Sequence, residues 1–371
     1  MSTPVRPAET GMPLDRKFGL AKDRLIGCYV GQAIGGSIGA GVRTLDRAEL
    51  STAEGAAWPE EYPPVFGGHG LITGETQVSL FVLDAILRAG IRRRRTGVAD
   101  PLGEVRLGLR RWLQTQEPRL DGPADGWWPT RPGLAAKRWP DHSTLTLVRA
   151  DTLGTPEQPV NDSRSATVLP RAAAAALWSA DPKQVFDLGA RIAALTHGHP
   201  IAWLSAGAYA VLVHTFLRGL SNPSRAVYAA LDELAGHPGH EPVSAALSEA
   251  LRRFDDGDGE QVTATQVAAL GAGWDAHEAL AMAVHAAFSS PRFDLVLGCA
   301  VGHPGNTGTV GSLAASLLTS VYTFTSVVPV PLMRELELGE EIATLADGAA
   351  TEFGPEPFTG SDWFTNFPIK D

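Results

Sequence analysis

Thr73-Gly74-Glu75-Thr76-Gln77 and Gly305-Asn306-Thr307-Gly308-Thr309-Val310-Gly311 are the stretches from which this chain is best read. Each sets glycine and hydroxyl residues at the start of a run with apolar residues at helical spacing, Glu75 to Ala89 and Thr307 to Leu318. A helix that begins among such residues presents unpaired backbone N–H groups at its start, a position suited to phosphate. Outward from these two starts, the same periodicity fills most of the sequence. It covers Asp23 to Ala40, Leu102 to Gln116, Ser165 to Ser179, Pro182 to Leu195, Ile201 to Leu217 and Pro223 to Ala235. It continues through Pro242 to Phe254, Asp275 to Phe288, Arg292 to Val301 and Leu332 to Ala346. Asp181-Pro182, Asn222-Pro223 and Glu241-Pro242 each put proline in a first helical turn.

Extended character is confined to Leu145 to Val148 and Ser326 to Val330. The long irregular stretches are Gly41 to Leu71 and Glu117 to Asp162, and no repeat of fixed period is present. The expectation is an all-α fold with large surface loops. One domain spans 18–350, after a disordered lead over 1–17 and before a tail over 351–371.

Composition sets the class. Of 371 residues, 44% are hydrophobic and 19% charged, enough for a large core. A net charge of −10 argues against a nucleic-acid partner. The one basic run, Arg92 to Arg95, reads as a solvated helix C-terminus. No apolar run looks long enough for a membrane span, and Met1 to Lys17 lacks the apolar core of a secretory signal. Cys28 and Cys299 read as two buried thiols, which suits a reducing cytoplasm.

Taken in order, these motifs resemble the ADP-ribosylglycohydrolase family. Gly31-Gln32-Ala33-Ile34-Gly35-Gly36-Ser37-Ile38-Gly39 resembles its opening Gly-x-Ala-x-Gly-Asp-Ala-Leu-Gly helix. Thr73 to Thr76 stands where the family has Thr-Asp-Asp-Thr, and Gly305 to Gly311 where it has Gly-Asp-x-Asp-Thr-Val-Gly. Asp162 to Pro170 resembles its central Asn-Gly-x-x-Met-Arg-x-x-Pro segment, and Thr196-His197-Gly198-His199-Pro200 its Thr-His-x-x-Pro link. The resemblance implies an all-α fold, a cleft for ADP-ribose and a dinuclear magnesium site. Most of the acids of that site are absent. Gly36, Gly74, Asn306 and Gly308 stand at acidic positions, and Glu75 alone keeps a carboxylate.

Candidate metal ligands are therefore Thr73, Glu75, Thr76, Asn306 and Thr309, a set expected to hold at most one magnesium ion weakly. Candidate ligand-binding residues are Gly35, Gly36, His69, Ser163, Arg164, Ser165, His303, Gly305, Asn306 and Thr307. Arg164 suits a phosphate, and Trp127, Trp128 and Trp139 offer faces for a base. Against these stand plainer readings: Arg164 as a surface ion pair, the tryptophans as loop anchors, and the glycine-rich face as helix packing.

Two functions fit. One is a protein that recognises ADP-ribose, an ADP-ribosylated partner or a transferase, with magnesium-dependent hydrolysis lost or weakened. The other is a glycosidase acting on a small N-ribosyl compound, with Glu75 and Asp162 as its carboxylates. A third possibility is a shared fold with an unused cleft.

Overall fold

Gly27, Gly31, Gly35 and Gly39 recur every fourth residue, so they line one face of the first helix. That face lies directly on the backbone of a helix near the other end of the chain. A Cβ on Gly35 would fall 2.1 Å from the carbonyl oxygen of Gly311, and one on Gly39 2.1 Å from that of Thr307. Only glycine permits this approach. Thr307 Oγ1 bonds Gly39 O at 2.6 Å and Thr319 Oγ1 bonds Gly27 O at 2.7 Å, which fixes the register of the pair.

The computed structural model describes residues 21–45, 61–117, 125–257 and 262–369. The α-helices are α1 (Lys22–Val42), α2 (Gly74–Thr96), α3 (Pro101–Gln116), α4 (His142–Arg149), α5 (Pro182–Ala194) and α6 (Pro200–Leu217). They continue with α7 (Pro223–Leu234), α8 (Glu241–Asp256), α9 (Ala264–Ala268), α10 (Ala276–Phe288) and α11 (Phe293–Val301). The last are α12 (Thr307–Val321), α13 (Phe324–Val327), α14 (Val330–Glu335), α15 (Gly339–Glu352) and α16 (Ser361–Asn366). Among the described residues there is no strand, only isolated bridges at Val65–Gly68 and Ser165–Asp275.

The all-α expectation therefore holds, and the α1–α12 pair runs through one continuous hydrophobic core. Asp181 and Asn222 cap α5 and α7 as their Asp-Pro and Asn-Pro starts imply. Cys28 and Cys299 are free and buried.

Several elements differ from their sequence reading. Leu145 to Val148 is helical, inside α4, because the Asp141 carboxylate accepts the Thr144 amide at 2.7 Å and starts a helix there. Ser326 to Val330 lies in the short helices α13 and α14 and the turn joining them. Ser165 to Ser179 forms two 3₁₀ segments, Ala166–Val168 and Pro170–Leu177, divided before Pro170, and the alanine run is buried among α2, α5 and α6. Leu332 to Ala346 breaks at Leu338, which adopts φ +59°.

The basic run closes α2 as expected, with Arg93 to Arg95 exposed, and its side chains also find partners. Arg92 pairs with Glu104, Arg93 stacks on Trp178, Arg94 pairs with Glu352, and Arg95 lies over Phe364 of α16. α1 and α6 are long and apolar enough to cross a membrane, contrary to expectation, but both are covered by the protein's own helices. The lead over 1–17 lies outside the described residues.

Candidate functional site

The two Gly/Thr stretches meet where α2 and α12 begin. Thr73 caps α2, its hydroxyl accepting the Thr76 amide at 3.2 Å and lying 3.1 Å from Thr76 Oγ1. Asn306 caps α12, accepting the Thr309 amide at 3.4 Å. A short chain of hydrogen bonds joins the two starts. Asn306 Nδ2 donates to Thr309 Oγ1 at 3.0 Å, and Thr309 Oγ1 donates to Glu75 Oε2 at 2.8 Å.

Gly36 of α1 completes the frame. A Cβ placed there would lie 3.4 Å from Thr76 Oγ1 and 3.7 Å from Thr73 Oγ1. Its neighbour Gly35 faces Gly311 and serves helix packing instead.

Gly74 has different surroundings. A Cβ on it would fall 2.8 Å from the Arg138 carbonyl oxygen and 3.0 Å from Pro140 Cα. The Gly74 amide donates to that same carbonyl at 2.7 Å. Gln77 holds the approaching loop through the carbonyls of Gly133 and Ala136, and Arg138 is clamped by Glu337 at 3.0 Å. Backbone of the 138–140 loop thus fills the space that a side chain at position 74 would need.

Burial pushes the Glu75 carboxyl up to about 7. The Thr309 hydrogen bond opposes the rise, Asp141 adds to it, and Arg43 and Arg171 pull against it. Asp141 is the second carboxylate of the region. Burial works against its charge, but His197, the Thr144 amide and Arg171 hold it well below the usual carboxylate range. It accepts Thr167 Oγ1 at 3.0 Å and faces His197 Nε2 at 3.6 Å. Arg171 is buried and donates to Thr196 Oγ1 at 3.1 Å and Thr144 Oγ1 at 2.7 Å. Thr196 Oγ1 also lies 2.8 Å from His197 Nδ1, which ties the imidazole to the same cluster.

The other expected residues distribute as follows. The Asp162 carboxylate is 85% exposed and 3.9 Å from His199 Nε2. Ser163 is anchored by its amide on Asn161 Oδ1, and Ser165 by its hydroxyl beside Thr167. Arg164 is exposed. His69 is exposed, with Nδ1 2.7 Å from Tyr62 O. Trp128 is fully buried and Trp127 packs on it and on Phe367, so both anchor a loop.

Trp139 remains half-exposed, in edge-to-face contact with Phe66 at 4.8 Å. His303 is buried, its Nδ1 accepting the Gly305 amide, and burial draws its imidazole down to about 4. With Gly305 and Thr307 it lines a cavity of about 210 Å³ that also meets Val42, Arg43, Leu45, Trp274 and Pro304.

Sequence reading missed Arg43, Asp141, Arg171 and Trp274. The Asp-x-x-Thr start at Asp141 was a usable signal. The remaining three owe their place to tertiary packing.

The metal question turns on donor chemistry. The frame offers one carboxylate, three threonine hydroxyls and one amide oxygen. Among the described residues, no three His, Cys, Asp or Glu side chains are grouped to hold a metal ion. A pair of divalent cations needs several carboxylates to offset its charge, and this set does not fit such a pair.

An all-α body with paired Gly/Thr helix starts around one cleft defines a family as well as a fold. The family model described as ADP-ribosylglycohydrolase matches residues 19–357, and the chain belongs to that family. Among solved structures, one titled "ADP-ribosylglycohydrolase-related protein complex" aligns at a TM-score of 0.62. Its sequence identity is 21%, over 89% of this chain and 97% of that one, which supports the fold. A comparison with curated proteins gave no match.

Proposed function

We propose that this member of the family recognises ADP-ribose or a related ribosyl ligand in its cleft, with magnesium-dependent hydrolysis lost or strongly weakened. The observation that carries this reading is the closure of the metal frame on itself. The 138–140 loop fills the space at Gly74, while Thr309 bonds both Asn306 and Glu75. Protein-bound ADP-ribose or a transferase is a partner consistent with this role, and two buried free thiols suit a cytoplasmic setting. Hydrolysis of ADP-ribosylated protein, followed with and without magnesium, tests it. The reading requires magnesium-dependent turnover to be absent or feeble, and brisk turnover that depends on magnesium contradicts it.

A second reading is favoured by Glu75 itself. A carboxyl near neutrality close to an ionised one is the arrangement that separates acid from base in glycosidases. The second carboxylate is then Asp141, in place of Asp162. Its oxygens already serve Thr144 and Thr167, which favours a positioning role and supports the binding reading over this one. Metal-independent release of ribose from an N-ribosyl compound, abolished in Glu75→Gln, would reverse that order.

A further inference from the structure

Several backbone donors at the cleft are already engaged. The amides of Gly305, Asn306 and Thr307 bond His303 Nδ1, Ala272 O and Gly305 O, and that of Ser163 bonds Asn161 Oδ1. A cationic side chain at this place adds what those amides no longer offer an anionic group. Arg43, the residue that ends α1, is placed to be that cation. Its guanidinium carbon lies 5.3 Å from the ring centre of Trp139 and 5.2 Å from that of Trp274. Trp139 and Trp274 are each 49% exposed, which is unusual for tryptophan and leaves aromatic surface free beside the cation.

Among the described residues the Arg43 guanidinium has no hydrogen-bond or ion-pair partner. It borders the 210 Å³ cavity together with Trp274, His303, Gly305 and Thr307. Its charge also reaches the floor of the cleft, where it acts on Glu75. The indoles are held from behind: Trp139 adopts φ +50° against Phe66, itself at φ +56°, and Trp274 O accepts the Ala166 amide at 2.9 Å. An arginine held against aromatic rings keeps its N–H groups to donate, and arginine takes a phosphate through two such bonds.

We propose that Arg43, flanked by Trp139 and Trp274, is the anion-recognition residue of the cleft and takes a phosphate of a nucleoside-diphosphate ligand. It supplies positive charge at a frame that lacks the acids to hold divalent cations. A base stacks on the free indole surface, and the sugar-phosphate enters the adjoining cavity. This rests on the reading that the cleft takes an ADP-ribose-like ligand, and it adds the residues that select for charge.

The test titrates wild type, Arg43→Gln, Arg43→Lys and the surface control Arg191→Gln with inorganic pyrophosphate, ADP, adenosine and ADP-ribose, without magnesium. Heat and indole fluorescence are both read. The expected result is that Arg43→Gln weakens ADP and ADP-ribose by about tenfold or more, while adenosine changes less than about twofold. Arg43→Lys recovers part of the loss, Arg191→Gln binds as wild type, and Trp274→Phe diminishes the fluorescence change. A merely structural stack would shift adenosine and ADP together, and that result overturns the proposal.

ADP-ribose binding that is equal in wild type and Arg43→Gln overturns the role of Arg43 and leaves the ADP-ribose reading standing. Pyrophosphate binding that depends on Arg43, without ADP-ribose binding, upholds the anion site and overturns that reading. No binding of any probe to wild type overturns both.

Discussion

Gly36 and Gly74 stand in the same frame with opposite surroundings. At Gly36 a side chain has room toward Thr73 and Thr76, whereas at Gly74 a Cβ meets the Arg138 carbonyl at 2.8 Å. Gly36→Ala is therefore expected to fold with a modest change in stability. Gly74→Ala must displace a backbone segment and is expected to cost about 2–3 kcal/mol, read as a lower denaturation midpoint. Equal midpoints for the two variants would show that the 138–140 loop is not a close neighbour.

Glu75 gives a second residue-scale prediction. Its folded carboxyl sits at about 7 against an ordinary 4.5, so the folded state holds the proton more tightly than the unfolded chain. Below pH 4.5 both states are protonated and the group is neutral to stability. As pH rises toward 7 the unfolded state ionises first and stability falls, by up to about 3 kcal/mol. Glu75→Gln is thus expected to melt higher than wild type at pH 8 and to lose that advantage at pH 4.5. A constant difference across the range would contradict the shift.

At the scale of elements, the α1–α12 pair carries the fold and was legible in part. The small-residue face of α1 is visible in the sequence, and helix packing was one of its two readings. Packing accounts for Gly27, Gly31, Gly35 and Gly39, whereas Gly36 is turned toward the site. Gly35→Ala puts a methyl group 2.1 Å from a backbone oxygen, so α1 must lift off α12. Loss of cooperative unfolding, or a cost of more than about 3 kcal/mol, is expected in a thermal melt. A melt like that of wild type would contradict the packing described.

Misread elements have local causes. Leu145 to Val148 reads as extended because its apolar residues alternate over a short span, and the helix there depends on the Asp141 cap. The alanine run reads as ordinary α-helix, and it takes the tighter 3₁₀ form while buried throughout.

At the scale of the molecule, the C-terminal residues belong to the body. Buried Arg88 donates to Pro368 O at 2.9 Å and pairs with Asp84 and Asp125, Phe367 is 4% exposed, and Trp363 packs over Gly348. Removing residues 361–371 strips a buried guanidinium of a partner and uncovers aromatic surface. A loss of about 3 kcal/mol is expected in chemical denaturation, and an unchanged midpoint would mean that this segment adds nothing.

The family and its all-α body were legible because ordered motifs extend across the chain. The working face of the cleft was less so. Arg43 at the end of α1 and Trp274 just before α10 reach Trp139 from distant parts of the sequence, and no local pattern marks them.

The central claim is that the cleft binds its ligand without magnesium. Calorimetric titration of ADP-ribose into the full chain, in chelator and again in millimolar magnesium, tests it most directly. The account predicts the same affinity in both, and affinity that rises with magnesium would mean that Thr73, Glu75, Thr76, Asn306 and Thr309 still hold an ion.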